Sequence, residues 1–458
     1  MRRYLKQILT VISVLCIALG GMVSTSCCNN AESALKCNYK VADITPKDSV
    51  ILAGFAARKG LSIGVHKPLE SRCLVIQKGS EKICIVSNDL MESGTSTVDR
   101  WRAEISEKSG LPVENIFIHN IHTHSAPRTG GWCAKEGQPN YNYAIEVREA
   151  IVNNAAAAIL DSTAFVPFTM EVGKGTSDIN SNRRDSEGYC SRDCYVLRLV
   201  DKKGKPMVSM VNYACHPVSL NHASNVVSPD FPGFAAEVLK EAWGGEIMYF
   251  SGASGNSDPC DSLSRMSTYA EQKGYKLAND IKDIEFTPVK DNGAFKLVSK
   301  EIRLPFAADT ITVELIEKHV AEIIQWTSVS HTWPKDVKYW AGYTIEDIKA
   351  GLVKNYLPFN IHALNLGGVV LFMTQGEPFM EYQTVLRDAF PDNHVMFIAY
   401  TNGQNSYLPS KEAYLTDKYS YETREMHIYI GAPYPLSDKM PDKYIESICG
   451  VTEEALEE

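Results

Sequence analysis

Short runs of β-branched and aromatic residues alternate along most of this chain with stretches whose apolar positions recur every three or four residues. The first kind predicts strands at Asn38 to Ile44, Leu74 to Gln77, Ile83 to Ser87, Asn115 to His122 and Glu246 to Phe250. Leu74 to Gln77 and Ile83 to Ser87 are separated by a Lys-Gly-Ser-Glu turn and read as a hairpin, as do Tyr195 to Val200 and Met207 to Tyr213 across Asp201 to Lys205. The second kind predicts helices at Thr97 to Lys108, Tyr143 to Leu160, Phe234 to Ala242, Ser267 to Ile284 and Val313 to Ile324. This alternation predicts an α/β fold: a single large domain with a mixed β-sheet core flanked by helices, rather than a sandwich or a bundle. No long Gly, Ser or Pro linker follows residue 40; residues 287–355 carry more charge and a weaker pattern, and are expected to form an inserted helical lobe.

The first thirty residues differ from the rest. Arg2, Arg3 and Lys6 precede an apolar stretch from Ile8 to Leu19, and Ser24-Thr25-Ser26 then leads into Cys27-Cys28. This is the layout of a secretion signal, expected over residues 1–28, with an apolar core short of the roughly 20 residues a membrane span needs. Small residues running into a cysteine resemble the lipid-attachment site of bacterial lipoproteins. The expectation is an exported protein, an outer-membrane or periplasmic lipoprotein attached to the membrane through a lipidated Cys27. An ordinary cleaved signal, giving a periplasmic or secreted protein, is the alternative, because Ser24 stands where a leucine is usual.

Net charge changes the picture in one respect. At −9, with a pI near 5.7 and no run of five or more Lys and Arg, the chain offers no footprint for a phosphate backbone, and nucleic acid is excluded as a partner. Nine cysteines follow Cys28, an odd number that leaves at least one thiol unpaired unless another chain supplies a partner. Cys73 and Cys84 fall in apolar strand patterns and read as small buried hydrophobes.

Four apolar strands end in residues able to hold a metal or move a proton. Asn115-Ile-Phe-Ile-His119-Asn-Ile-His122-Thr-His124 breaks at Ser125-Ala-Pro127; side chains two apart on a strand share a face, so His122 and His124 are expected to enter one cavity. A His-x-His pair alone is equally well a structural pair. Met210 to Cys215 ends in His216-Pro217, Val369 to Gln375 in Gly376-Glu377-Pro378, and Met396 to Thr401 in a polar loop that carries Tyr407. Cys215, adjacent to His216, faces the opposite way on a strand and is expected to pack in the core rather than act as a nucleophile. The turn holding Ser254 and Ser257 lacks the G-x-S-x-G pattern of a serine hydrolase.

In this order the motifs resemble the neutral/alkaline ceramidase family. Ala42-Asp-Ile-Thr-Pro46, Gly64-Val-His66-Lys-Pro-Leu69, Ser87-Asn-Asp89-Leu90, His122-Thr-His124-Ser-Ala-Pro127, Cys215-His216-Pro217, Gly376-Glu377 and Tyr407-Leu-Pro-Ser410 carry the likeness, from Ala42 to Ser410. The resemblance implies a catalytic domain over 35–458 and a zinc ion held by His122, His216, Glu377 and Tyr407. It further implies that zinc-activated water attacks an N-acyl amide, with His124 near the leaving group. It places Arg183 of Asn182-Arg183 at the active site as an oxyanion partner, although the sequence alone allows a surface arginine. It also implies a late tyrosine before a glutamate: Tyr421 by its Tyr-Glu dipeptide, Tyr419 by spacing. His66 and His119 are expected to be structural or to support the ligands. Asp89 and Asp230 are expected either to orient the ligating histidines or to cap turns.

Two departures bear on substrate. Where the family has Gly-Asp-Val-Ser-Pro, this chain has Gly255-Asn-Ser-Asp258-Pro259, so aspartate replaces the serine, and the chain is expected to lack the family's C-terminal immunoglobulin-like domain. The expected activity is therefore that of an exported zinc-dependent amidohydrolase acting on a small-molecule or lipid acyl substrate of ceramide type. The alternatives are a zinc esterase or deacylase acting on a glycan or other acylated substrate, and a surface lipoprotein that only binds.

Overall fold

The computed structural model describes residues 34–91, 93–260, 266–326 and 334–457. The expected signal over 1–28, with Cys27, lies outside them.

Two sheets form the core. The larger has nine strands and runs, by pairing, Glu246–Ser251, Pro206–Tyr213, Asp193–Asp201, Val166–Thr176, Lys36–Asp43, Glu70–Lys78, Glu81–Asn88, Ile116–Asn120, with Phe286–Pro288 added alongside Val166–Thr176. The smaller has four, in the order Phe295–Pro305, Tyr356–Leu366, Val369–Thr374, His394–Ile398. Both hairpins expected from the sequence are present and antiparallel. Residues 287–355 are not simply an inserted helical lobe, because Phe295–Pro305 pairs along its whole length with Tyr356–Leu366. As an edge strand with one half-solvated face it carries Lys296, Lys300, Glu301 and Arg303, which is why its apolar pattern is weak.

The period-two alternation of side chains explains how these layers stack. Leu74, Ile76, Ile85, Phe117, Leu197, Leu199, Met210, Met248 and Phe250 of the large sheet meet Leu364, Leu366, Leu371, Met373, Met396 and Ile398 of the small one. The intervening residues point outward beneath helices. Cys73, Val75, Cys84, Val86, Ile116 and Ile118 are covered by Thr95–Ser109 and Tyr141–Leu160, and Val196, Val211, Ile247 and Tyr249 by Asp230–Trp243 and Thr268–Ile281. On the far side, Phe359, Ile361, Phe372 and Phe397 are covered by Val313–Trp326, Pro334–Lys349, Met380–Ala389 and Met440–Leu456. The α/β expectation holds, with two sheets face to face between helical layers. Central strands such as Val369–Thr374 and Glu246–Ser251 are buried on both faces, which accounts for apolar runs such as Val369 to Met373.

Three parallel pairs set the direction of the fold: Glu81–Asn88 with Ile116–Asn120, Pro206–Tyr213 with Glu246–Ser251, and Val369–Thr374 with His394–Ile398. Their carboxyl ends meet where the two sheets are stitched together. Asn402 exchanges backbone and side-chain hydrogen bonds with Ile118, and Asn212 Nδ2 donates to the carbonyls of Phe250 and Phe397 at 3.0 and 2.9 Å.

Candidate active site

At this junction the backbone is strained. Among the described residues, four non-glycine residues have positive φ, and three of them, His122 (71°), Tyr400 (53°) and Asn402 (59°), lie on the loops leaving these strand ends. The strand expected to reach His122 stops at Asn120, so His122 and His124 do not share a strand face. They converge because the left-handed turn at His122 redirects the chain.

His122 donates from Nδ1 to the Met91 carbonyl at 3.1 Å, and His216 from Nδ1 to the Ser254 carbonyl at 2.6 Å. Each imidazole thereby commits its proton and turns its Nε2 lone pair inward. There the Nε2 atoms of His122 and His216 meet Glu377 Oε2, at 3.4 and 2.9 Å, and His124 Nε2 lies 3.4 Å from His122 Nε2. Side-chain nitrogens of His122, His124 and His216 all fall within 4.8 Å of one another. Lone pairs cannot face one another across such distances in a buried site without a positive charge between them, whether proton or metal ion. Two anchored imidazoles and a carboxylate form a donor set suited to a transition metal.

Glu377 follows Gly376, whose φ of +68° and whose closeness to the Ser406 carbonyl, 2.5 Å from where a Cβ would sit, leave no room for a side chain. Burial alone would raise the Glu377 carboxyl, but the facing His122 and His216 hold it well below the usual range. Its other oxygen accepts from Gln404 Nε2. Tyr407 is carried beside it, since Glu377–Pro378 and Tyr407–Leu408 pair as a short parallel bridge. Burial pushes the Tyr407 phenol well above its ordinary range.

Arg183 is brought in rather than left on the surface. Its guanidinium lies 5.1 Å from the Tyr407 ring centre, 3.9 Å from Asp258 Oδ1, and donates through Nε to Glu422 Oε1 at 3.1 Å. Arg184 Nε reaches the same Glu422 oxygen at 2.9 Å. Tyr421, on the π-helical turn Tyr421–Glu425, places its ring 6.1 Å from that of Tyr407, whereas Tyr419 donates to Asn182 Oδ1 at 3.1 Å. Tyr421 is thus the late tyrosine that faces the site.

Burial holds the His124 imidazole well below its ordinary pKa, helped by His122 and His216, and its ring edge packs 4.9 Å from Phe55. The remaining histidines and acids sort differently. His119 accepts from Ser251 N and donates to the Ala399 carbonyl, a structural role, and His66 pairs with Glu271 at 2.7 Å. Asp89 binds Arg72, and Asp230 bonds the backbone of Leu220 and Phe231, so neither orients a ligating histidine. Cys215 is fully buried in the core.

Three contributors were missed in the sequence: Tyr400, stacked on His122 at 4.3 Å with its hydroxyl 2.8 Å from Ser254 Oγ; Gln404 on Glu377; and the Gly54–Arg58 loop over His124. None carries a local motif, although Gln404 lies in the polar loop the sequence marks.

Fold and site together define an α/β protein with a buried histidine–carboxylate centre able to hold a metal ion at its strand ends. Residues 39–249 match the family described as neutral/alkaline non-lysosomal ceramidase, N-terminal. It is 23% identical over 254 residues to a neutral ceramidase of Drosophila pseudoobscura pseudoobscura, covering 50% of this chain and 34% of that protein. It is 22% identical over 228 residues to neutral ceramidase B of Dictyostelium discoideum, covering 45% and 32%. The chain therefore matches about a third of the length of these curated relatives. Neutral ceramidase from Pseudomonas aeruginosa shares the fold, with a TM-score of 0.66 at 16% identity over 92% of this chain and 74% of that one.

Proposed function

We propose that this chain is an exported zinc-dependent amidohydrolase that cleaves an N-acyl amide of ceramide type. The observation that carries this reading is the meeting of His122 and His216 Nε2 on Glu377, with both Nδ1 protons committed to backbone carbonyls. His122, His216 and Glu377 would hold the zinc, with Tyr407 as the further ligand. When bound, the ion acts as a Lewis acid that polarises the scissile carbonyl and brings the pKa of water to about 7.

The chain's own groups do the rest. Gln404 fixes the Glu377 carboxylate, and Glu422 holds Arg183 beside Tyr407, where its guanidinium can meet an oxyanion developing on the amide carbonyl. Tyr421 closes the same wall. His124, kept neutral by burial and adjacent to His122, is placed to accept a proton from the attacking water and pass it to the departing amine nitrogen as the C–N bond breaks. The signal-like segment and Cys27 support export and membrane attachment, which Cys27→Ala tests by moving the protein from the membrane to the soluble fraction.

Asp258 favours a second reading. Its carboxylate stands 3.9 Å from Arg183 where the family has serine, which alters the contacts open to a sphingoid head group and leaves room for an esterase or glycan deacylase. Metal analysis of the purified protein, paired with assays on acyl amides and acetylated sugars, separates these. The expected result is stoichiometric zinc with amide turnover; zinc without turnover on any acyl amide or ester indicates a binding protein, and absence of bound metal overturns the proposal.

A further inference from the structure

Beside the Gly54–Arg58 loop that covers His124 lies a cleft of about 740 Å³. Phe55 neighbours both: its ring centre is 4.9 Å from that of His124 and 6.5 Å from that of His222, which lines the cleft. The wall is polar. Lys59 and Lys335 bring two cations against one carboxylate, Asp336, and His222 and Asn225 add hydrogen-bonding groups. Its apolar lining among the described residues is alanine methyls, Ala56 and Ala223 among them. A long hydrocarbon chain gains about 0.8 kcal/mol for each CH₂ it buries, and alanines alone give it little to bury against.

Next to Lys59 in the chain, Arg58 carries a positive charge that no carboxylate among the described residues neutralises. Arg58 is largely buried, yet its guanidinium hydrogen-bonds only backbone: Nη1 donates to the carbonyls of Ala53 and His124 at 2.6 and 2.7 Å. Its Nε and Nη2 are buried without partners, no carboxylate pairs with it among the described residues, and burial lowers its pKa to about 10. A protein of net charge −9 has thus gathered Arg58, Lys59 and Lys335 on one side of a candidate catalytic histidine. An uncompensated buried cation is costly, and an anion supplied by a ligand offsets that cost.

We infer that this cleft receives the leaving-amine part of the substrate, and that this part carries an anionic group, a carboxylate or a phosphate, rather than an uncharged sphingoid base. The inference rests on the amidohydrolase reading for the direction of the substrate, because His124 serves the departing amine. Lys59 and Lys335 bind the anion at the rim, and Arg58 supplies the field beneath it.

The test uses the full chain and separates the two claims. Binding of phosphoethanolamine, glycine and ethanolamine is measured by calorimetry at low and high salt, and hydrolysis is measured on the N-acyl derivatives of the same amines with one acyl chain. Phosphoethanolamine or glycine, according to whether phosphate or carboxylate is the natural group, is expected to bind about tenfold or more tighter than ethanolamine, with the advantage shrinking in salt. Lys59→Ala combined with Lys335→Ala removes that advantage, and Lys318→Ala, at an exposed side chain outside the cleft lining, keeps it. Equal binding of all three amines, or a preference that survives the double variant, overturns the inference whatever the hydrolysis shows. Anion-selective binding without cleavage of any N-acyl derivative upholds the cleft and overturns the amidohydrolase reading instead.

Discussion

His216 lies between two oxygen acceptors: its Nδ1 is 2.6 Å from the Ser254 carbonyl and its Nε2 is 2.9 Å from Glu377 Oε2. Neutral imidazole has one proton for these two contacts, and the shorter one claims it. On the proposed reading, a metal ion shared with His122 would satisfy the Glu377 contact. His216→Ala is expected to lose bound metal and turnover together. His124→Ala is expected to retain most of the metal and lose turnover, because among the described residues no hydrogen bond or ion pair joins His124 to Glu377, whereas His122 and His216 both meet it. Metal content and activity measured on both variants check this. Unchanged metal in His216→Ala would show the ligand set to be wrong, and loss of metal in His124→Ala would give the centre to the three histidines instead.

Gly54 is the tightest approach to His124. Its φ is +98°, and a Cβ there would lie 2.3 Å from His124 Cγ. Gly54→Ala must therefore displace the imidazole or the loop that carries Phe55. Displacing a proton-transferring group by about 1 Å costs on the order of a hundredfold in rate. A fall of that size in kcat, with metal content at the wild-type level, is the expected result; wild-type kcat would remove His124 from the chemistry.

Tyr400 supports the centre from behind. Its ring stacks on His122 at 4.3 Å and its hydroxyl bonds Ser254, the residue whose carbonyl anchors His216. Tyr400→Phe keeps the stack and removes the bond, which should cost about 1 to 3 kcal/mol of stability with little change in metal affinity. Tyr400→Ala removes both and should weaken metal binding as well. Chemical denaturation and metal titration distinguish the two effects.

How much of this was legible in the sequence depends on the range of the interaction that decides it. His122, His216, Glu377 and Tyr407 announce themselves because each ends an apolar run, and an apolar run long enough to be buried on both faces has its chemistry at its end. The means of convergence was not legible. Strand alternation suggested a shared face for His122 and His124, but a positive φ at His122, held by tertiary contacts, does the work. Asp89 lies in a matched motif yet binds Arg72 on the neighbouring strand, a cross-strand pairing that local pattern does not reveal. Two facing sheets read in sequence like one sheet under helices, since both bury their central strands on two sides.

Glu422 gives the site its pH sensitivity. Burial alone would raise its carboxyl, but Arg183 and Arg184 outweigh that and leave it below the ordinary glutamate value. A carboxyl lowered on folding binds fewer protons folded than unfolded, so its contribution is present above the unfolded pKa of about 4.3 and is lost as pH falls through the folded value. Glu422→Gln should therefore destabilise the protein at neutral pH, by about 3 to 5 kcal/mol if both guanidinia are left uncompensated. It should also flatten the loss of stability on acidification below about pH 4.3, since one titrating carboxylate is gone. Because Arg183 also stands beside Tyr407, the variant should lower kcat more than it raises KM. Denaturation midpoints for wild type and variant between neutral pH and pH 3 measure the first two effects, and an acid limb of unchanged slope would show that Glu422 is not the group the two arginines hold ionised.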